Sequence, residues 1–387
     1  MFKKSMRCPF CFAKCGRDSV GKACLKCHSI IPKEAGDSIL FPIVVVGPSG
    51  AGKTHFLTVL AHILCEGAVW ESYWTATRII RQEEQDESDE TKGSTDEFVN
   101  WEEKLYPSKN GRGEILGGTT KRSEDRPPLS LVIHLSYSSK GANKLKEPYR
   151  KRDILLAFTD TAGEDLVRGE WIGISRKYPI LGHNLAKGLI ALVNPTQLSA
   201  IREEYDNAPE TLRGRYEQSG LRKSVLATLQ SVLSIKEIRK ELKSKPIAVC
   251  LTKTDALATL GKLDPQDILI SPQDIVSRTE EDEGRIILSS LRDLSDRTES
   301  FMAEMDDDTG FKDGKPEYDG ISGSVHYFDY RAFFATDALG VAIQTARSTR
   351  DSMGNEVRSF TGLPKPRRIL DPLLWILWQH GYVGGRK

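Results

Sequence analysis

No apolar run in this chain of 387 residues approaches the ~20 that a membrane-spanning helix needs, so no segment reads as a transmembrane span. The opening Met1-Phe2-Lys3-Lys4-Ser5 leads into cysteines where a signal peptide would need an apolar stretch, and a cytosolic location is the expectation. An excess of charge of one sign is missing too. Lys plus Arg number 55 against 54 Asp plus Glu, and a net charge of +1 gives no global field to draw in nucleic acid or an anionic membrane. Such binding would need a local patch. Cysteine is nearly absent from the body of the chain. Five of the seven lie between Cys8 and Cys27, leaving Cys65 in an expected helix and Cys250 in an expected strand, where both are read as buried and inert. No internal repeat is evident. At 39% hydrophobic residues the chain can still bury a full core, as one large domain or two modest ones.

What the chain does have is a glycine-rich octapeptide, Gly47-Pro48-Ser49-Gly50-Ala51-Gly52-Lys53-Thr54. It stands between the apolar run Phe41 to Val46 and a helical pattern of Phe56, Leu57, Val59, Leu60, Ile63 and Leu64. This is the form of a phosphate-binding loop, and strand before and helix after are the context it requires. Glycines let backbone N–H groups curl around a β-phosphate, Lys53 reaches the β and γ oxygens, and the Thr54 hydroxyl can ligate Mg²⁺. His55 and His62 fall on the helix, and neither is assigned a function.

Cys8-Pro-Phe-Cys11 and Cys24-Leu-Lys-Cys27 each enclose two residues and stand twelve residues apart. That is close to the spacing of a four-cysteine zinc site, with Cys15 and His28 as spare ligands. Metal would supply the folding energy that so short a segment cannot draw from a core. Four thiolates leave no open position for water, so a recognition role is expected over catalysis. Residues 1–28 hold seven Lys and Arg against one acid, Asp18, with Phe10 and Phe12 interleaved. This composition suits nucleic acid or an acidic protein face, and equally a solvated basic surface on a structural clip. Residues 1–36 are taken as ribbon and linker, with Pro32 to Asp37 as the connection, and 37–387 as the main domain.

Residues 83–97 carry eight acidic side chains and one cation, Lys92, and read as a mobile acidic insertion, followed by a glycine-rich charged connection over 101–128. The whole insertion spans about 80–128, and 305–323 is a second polar excursion. Strand-like runs at Leu129 to Ser136 and Asp153 to Thr159 are expected to pair as an antiparallel hairpin. Further strands are expected at Gly188 to Val193, Pro246 to Leu251 and roughly Val325 to Phe334. Helices are expected at 220–243, 275–304 and 371–380, the last using its two tryptophans to pack on the parent sheet. The fold class that follows is α/β: a doubly wound, mostly parallel sheet with one antiparallel strand, preceded by a small zinc ribbon.

Two further motifs stand at expected strand ends. In Thr159-Asp160-Thr161-Ala162-Gly163-Glu164, the aspartate can hold Mg²⁺ through a water and the Gly163 N–H can approach a γ-phosphate. In Thr252-Lys253-Thr254-Asp255, the last carboxylate can accept from the guanine N1–H and exocyclic amine together, whereas adenine presents an acceptor at N1. With the loop at Gly47 to Thr54, these motifs in this order resemble the translation-factor-like superclass of phosphate-loop GTPases. The antiparallel hairpin expected at 129–159 is also a feature of that class. The resemblance covers roughly residues 41–340, and within it the closest look is to bacterial double-GTPase proteins, which are proposed to act in biological conflict systems.

The resemblance implies GTP and GDP as ligands, Mg²⁺ as cofactor, and signalling to a protein partner, another GTPase among the candidates. A switch I threonine that closes over Mg²⁺ would match Thr119 or Thr120, and a guanine-supporting loop would match Ala335-Thr336-Asp337-Ala338 through a backbone N–H. The catalytic set on this reading is Lys53, Thr120, Gly163 and Glu164. Glu164 departs from the glutamine that many relatives carry. A carboxylate there repels the developing γ-phosphate charge, so slow intrinsic hydrolysis is expected. Arg168, Arg122 and Arg126 are candidates for an internal arginine finger, each read first as a surface residue. Rival readings are an ATPase with an accidental Thr-Lys-x-Asp match, a non-catalytic interaction module led by the ribbon, and a nucleic-acid factor.

Overall fold

A computed structural model of the chain describes residues 6–48, 50–66, 74–82, 97–107, 113–114, 116, 129–137, 153–160, 185–207, 240, 242–263, 285–305, 311–312, 315–316, 325, 327–340, 347–350, 356–360 and 363–386. Seven strands form one mixed sheet: β1 (Ile39–Val46), β2 (Trp74–Ile79), β3 (Leu129–Tyr137), β4 (Ile154–Asp160), β5 (Gly188–Val193), β6 (Ile247–Leu251) and β7 (Arg331–Ala335). Their spatial order is β7-β6-β5-β1-β4-β3-β2. β1 pairs in parallel with β4 on one side and β5 on the other, so the chain winds outward from it in both directions. This is the doubly wound order, and the carboxyl end of β1, where the two directions part, is where such sheets form a ligand crevice. β5 and β6 are buried along their whole length, which is why both read as unbroken apolar runs.

β3 runs antiparallel to β4, as the expected hairpin requires, and β2 runs antiparallel to β3. Only β3 therefore opposes the common strand direction. β2 was not foreseen: its β-favouring residues Trp74, Thr75, Thr77 and Ile79 lie next to the acidic run and escaped notice.

The helices are α1 (Lys53–Glu66), α2 (Glu97–Leu105), α3 (Ser199–Asn207), α4 (Thr254–Thr259), α5 (Leu288–Met305) and α6 (Asp371–Gln379). α2 corrects the reading of 83–128 as structureless connection. Its Phe98 and Leu105 recur at helical spacing and are buried, and Glu102 accepts from His62 of α1 at 2.7 Å and pairs with Arg78 of β2. His62 thus fastens the insertion to α1, and its ring stacks on Tyr106.

Of the helix expected over 275–304, residues 288–304 lie in α5, residues 275–284 lie outside the described residues, and Ile286–Ile287 pair instead with Gly385–Arg386. It caps the far edge of the sheet, where Ser295 Oγ accepts the Phe333 N–H of β7 at 3.0 Å. β7 itself is shorter than the run Val325 to Phe334, since residues 327–330 bend before Arg331 enters the sheet. α6 lies where its tryptophans suggested: Trp375 is buried against Phe334, and Ile376 packs on Gly188 at a contact with no room for a Cβ. A C-terminal hairpin, Arg347–Arg350 with Glu356–Phe360, takes Gly113–Glu114 as a third strand, a pairing that no local pattern announces. The expected helix at 220–243 lies outside the described residues, apart from helical positions 240 and 242.

Cys250 is fully buried and Cys65 half-buried; burial pushes the Cys65 thiol up to about 11 and Cys250 well above its ordinary value, so both are inert at neutral pH. No helix among the described residues is long and apolar enough to cross a membrane.

Candidate functional site

The end of β1 turns sharply into α1. Ala51 N–H donates to Pro48 O at 3.1 Å, and Gly50 and Gly52 take φ of 72° and 89°, a left-handed region that an L side chain enters at a cost. Gly47 passes so close to β5 that a Cβ would lie 2.9 Å from Leu192 O. Each glycine kept in this loop thus has a geometric reason. Lys53 is buried, and its ammonium donates to Gly47 O at 2.9 Å and Pro48 O at 3.0 Å, bridging the mouth of the loop. Thr54 is buried beside it in the first turn of α1, a turn without acidic residues, so the positive end of the helix meets no acidic side chain from that turn. Ser49 lies outside the described residues.

Asp160 is the last residue of β4, in register with Val45 and Leu129, which brings that strand end level with the approach to Gly47. Gly163, Glu164, Thr119, Thr120, Arg122, Arg126 and Arg168 lie outside the described residues.

On the other side of β1, Thr252 follows β6 and joins the two loops. Its hydroxyl donates to Ala51 O at 2.9 Å and Val193 O at 3.1 Å. Lys253 adopts φ 52°, ψ 43° and opens α4, and burial lowers its ammonium to about 8 against the opposing pull of the Asp255 carboxylate. Asp255 itself is buried in the first turn of α4. After β7, Thr336 is buried with its N–H on Leu251 O, and Asp337 Oδ1 accepts from Leu339 N–H at 3.1 Å and Gly340 N–H at 2.8 Å. The backbone N–H of Asp255 also reaches that carboxylate, so Asp337 staples the loop after β7 to the one after β6. Burial nevertheless dominates and raises Asp337 to about 6.

Two residues escaped the sequence reasoning. Asp337 was valued only for its backbone, yet its N–H is engaged by Arg367 O at 3.0 Å and its side chain does the joining. His55 was assigned nothing, yet its Nε2 accepts the Leu116 N–H at 3.1 Å; burial, then Lys253, lower its imidazole to about 4. A polar side chain beside a motif was the available signal for both, and the partner was the part that sequence withheld.

The ribbon contains a second centre. Cys8, Cys11, Cys24 and Cys27 are buried, with their Sγ atoms all within 4.8 Å of one another, and Cys8–Cys27 and Cys11–Cys24 lie at 3.7 Å. Tetrahedral zinc with bonds of ~2.3 Å would set sulfurs about 3.8 Å apart, so the donor set fits that metal. Both knuckles share one backbone pattern. Phe12 N–H returns to Cys8 O and His28 N–H to Cys24 O, with Phe12 and His28 at positive φ. Cys15 is outside the cluster and His28 is exposed, so neither replaces a ligand.

The ribbon is docked on the sheet. Ser130 of β3 donates to Phe10 O at 2.8 Å, Ile30 N–H to Gln82 O at 2.8 Å, and Arg81 Nε to Ser29 Oγ at 2.7 Å. Phe10 and Phe12 are buried, which corrects their reading as aromatics interleaved for nucleic acid: neither offers a face on which a base can stack.

No protein-family model matches the chain, and no curated protein does. Among solved structures it is similar to the signal recognition particle receptor SRb-GTP/SRX complex from Chaetomium thermophilum, at 14% identity and a TM-score of 0.27, over 77% of this chain and 94% of that one. A superposition that loose carries no functional argument, and the α/β fold rests on the strand order given above.

Proposed function

We propose that this protein is a GTP-binding switch that hydrolyses GTP slowly and passes its state to a macromolecular partner. The observation that carries the reading is the Thr252 Oγ1 to Ala51 O hydrogen bond of 2.9 Å, which holds a glycine-rich phosphate loop and a Thr-Lys-x-Asp loop at one crevice. A nucleotide placed there would meet amides of residues 47–54 with its phosphates and Asp255 with its base. Lys53 would exchange its loop carbonyls for β and γ oxygens. Guanine offers two donors to Asp255 where adenine offers an acceptor at N1, so GTP is preferred over ATP. In the loop after β7, the amides of Thr336, Asp337, Leu339 and Gly340 donate within the chain, which points to Ala338 N–H as the donor for the guanine oxygen.

Thr54, Asp160 and Thr119 or Thr120 are the residues that would hold Mg²⁺, which when bound supplies charge neutralisation at the phosphates. Gly163 would sense the γ-phosphate, and Glu164 would orient water poorly against its charge, which makes turnover slow or partner-stimulated. The zinc ribbon, fixed to the sheet edge beside β3, would present the basic surface that a partner reads. Kinship with double-GTPase proteins and a role in bacterial defence are proposals that rest on the resemblance in motif order, and a cytosolic setting is a proposal that rests on composition.

Competition of GTP, GDP and ATP against a fluorescent guanine nucleotide tests the reading. GTP and GDP displacing the probe at least tenfold better than ATP is expected, and equal displacement would favour an ATPase. Tight GTP binding with no turnover, with or without partners, would favour a nucleotide-dependent interaction module.

A further inference from the structure

The loop after β7 is gripped by the chain that leads into α6. Pro364 and Pro366 carry no N–H and favour an extended chain, so the amides left to donate over 364–367 are those of Lys365 and Arg367. Both donate to the loop. Lys365 N–H reaches Leu339 O at 3.1 Å and Arg367 N–H reaches Asp337 O at 2.8 Å, while Arg367 O accepts the Asp337 N–H at 3.0 Å. The approach is close: Gly340 takes φ 65°, and a Cβ there would lie 2.3 Å from Lys365 O. Ala338 stands between these paired residues and is the one member of 332–340 that is not buried.

Arg368 sets where this pairing falls. It turns the chain into α6 at φ 53°, a left-handed conformation that residues other than glycine seldom adopt. Its guanidinium meets the Asp371 carboxylate at 3.0 Å, with the two side chains 4% and 11% exposed, so neither charge can lose its partner cheaply. α6 is fixed in turn on the sheet, by Trp375 at Phe334 and Ile376 at Gly188. Since the Asp337 carboxylate also receives the Asp255 N–H, both loops of the base site depend on this turn.

We infer that Arg368 is a positioning residue of the base site: paired with Asp371, it sets the turn that lays Lys365 and Arg367 on the loop after β7, and so holds the Ala338 N–H where the guanine oxygen would bind. The inference rests on the GTP-binding reading and adds to it a residue outside the three motifs. Guanine presents an oxygen acceptor to that N–H where adenine presents an amino donor, so guanine alone gains from a loop held in place. Phosphate contacts at residues 47–54 are indifferent to it. By reciprocity, a bound guanine nucleotide must tighten the grip of 365–367 on the loop by the factor that the grip adds to binding.

The test measures, on full-length protein with Mg²⁺, the affinities for GDP and ADP. In Arg368→Met the preference for GDP over ADP should fall about threefold to tenfold, the range expected for one neutral hydrogen bond, with ADP affinity unchanged. Arg368→Lys, which keeps a cation for Asp371, should recover much of it. An unchanged preference in Arg368→Met, or equal losses for both nucleotides, overturns the role while leaving guanine-nucleotide binding intact. A wild-type chain with no preference for GDP removes the parent reading and this role together. Should the methionine variant not fold, hydrogen exchange of the wild-type amides decides. GDP should slow exchange at Lys365 and Arg367 more than ADP does at equal saturation, and equal exchange with either nucleotide overturns the role.

Discussion

Thr252 and Ala51 lie 201 residues apart in sequence and meet through a hydrogen bond of 2.9 Å from the threonine hydroxyl to the alanine carbonyl. The same hydroxyl sits 3.1 Å from Val193 O, at the end of β5. One side chain therefore serves two buried carbonyls at the point where the sheet's two winding directions part. Thr252→Val keeps the shape and removes the donor, so Ala51 O loses this partner while Val193 O keeps the Thr252 N–H at 2.8 Å. We expect a stability loss of about 1–3 kcal/mol and weaker binding of every nucleotide alike, since both loops lose their mutual register. Chemical denaturation and nucleotide titration of the same variant check it.

Lys53→Ala should weaken triphosphate binding by about a hundredfold or more, because it removes the ammonium held at the loop mouth by Gly47 O and Pro48 O. Isothermal titration with the GTP analogue measures it. Retained micromolar affinity would remove the phosphate-loop assignment.

Asp255→Asn should exchange guanine preference for xanthine preference, because the amide donates where the carboxylate accepted. Direct comparison of GTP and xanthosine triphosphate binding reads this out, and unchanged selectivity would take Asp255 out of the base site.

Metal analysis should find one zinc per chain, lost on Cys8→Ser. Arg81 reaches the ligand loop from the sheet edge, donating to Ser29 Oγ and, at 3.4 Å, to Cys27 O. Arg81→Met should therefore release zinc to a chelator about 10-fold faster at unchanged stoichiometry, as loss of an outer contact to a ligand commonly does. Equal release rates would show that the docking contact does not support the metal.

Asp337 gives a pH signature. Burial raises its folded value to about 6 from an ordinary 3.8, so the folded state holds the proton more tightly than the unfolded one. Its stabilising share is complete below about pH 3.8 and is lost as pH rises through about 6. Asp337→Asn, which cannot ionise, should flatten the fall in stability across this window. Denaturation midpoints of both proteins between pH 4 and 7 check it; parallel curves would show that Asp337 does not titrate there.

Much of this architecture is legible in the chain. β1, β5 and β6 are central parallel strands, and burial on both faces demands the unbroken apolar runs that mark them in sequence. β2 and α2 were missed because each is an edge element, half exposed, whose signal of Trp74, Thr77 and Ile79 or Phe98, Trp101 and Leu105 is diluted by acidic neighbours. The turn from β1 into α1 was foreseen because only glycine meets its backbone angles at Gly50 and Gly52, a demand that is written locally.

The sequence by itself determined the local chemistry: the glycine-rich loop with Lys53 and Thr54, four cysteines at zinc-ligand spacing, and an aspartate at 255 beyond an apolar strand. Spacing within a few residues fixes which atoms converge, so such features survive without a fold. The tertiary structure decided the rest. It set Thr252 on Ala51, Asp337 on the loop that carries Asp255, Arg81 on the cysteine knuckle and His55 on Leu116. Each of these is a contact between strand or helix ends distant in the chain. Their pairing depends on the order of strands in the sheet, and no pattern inside either segment records it.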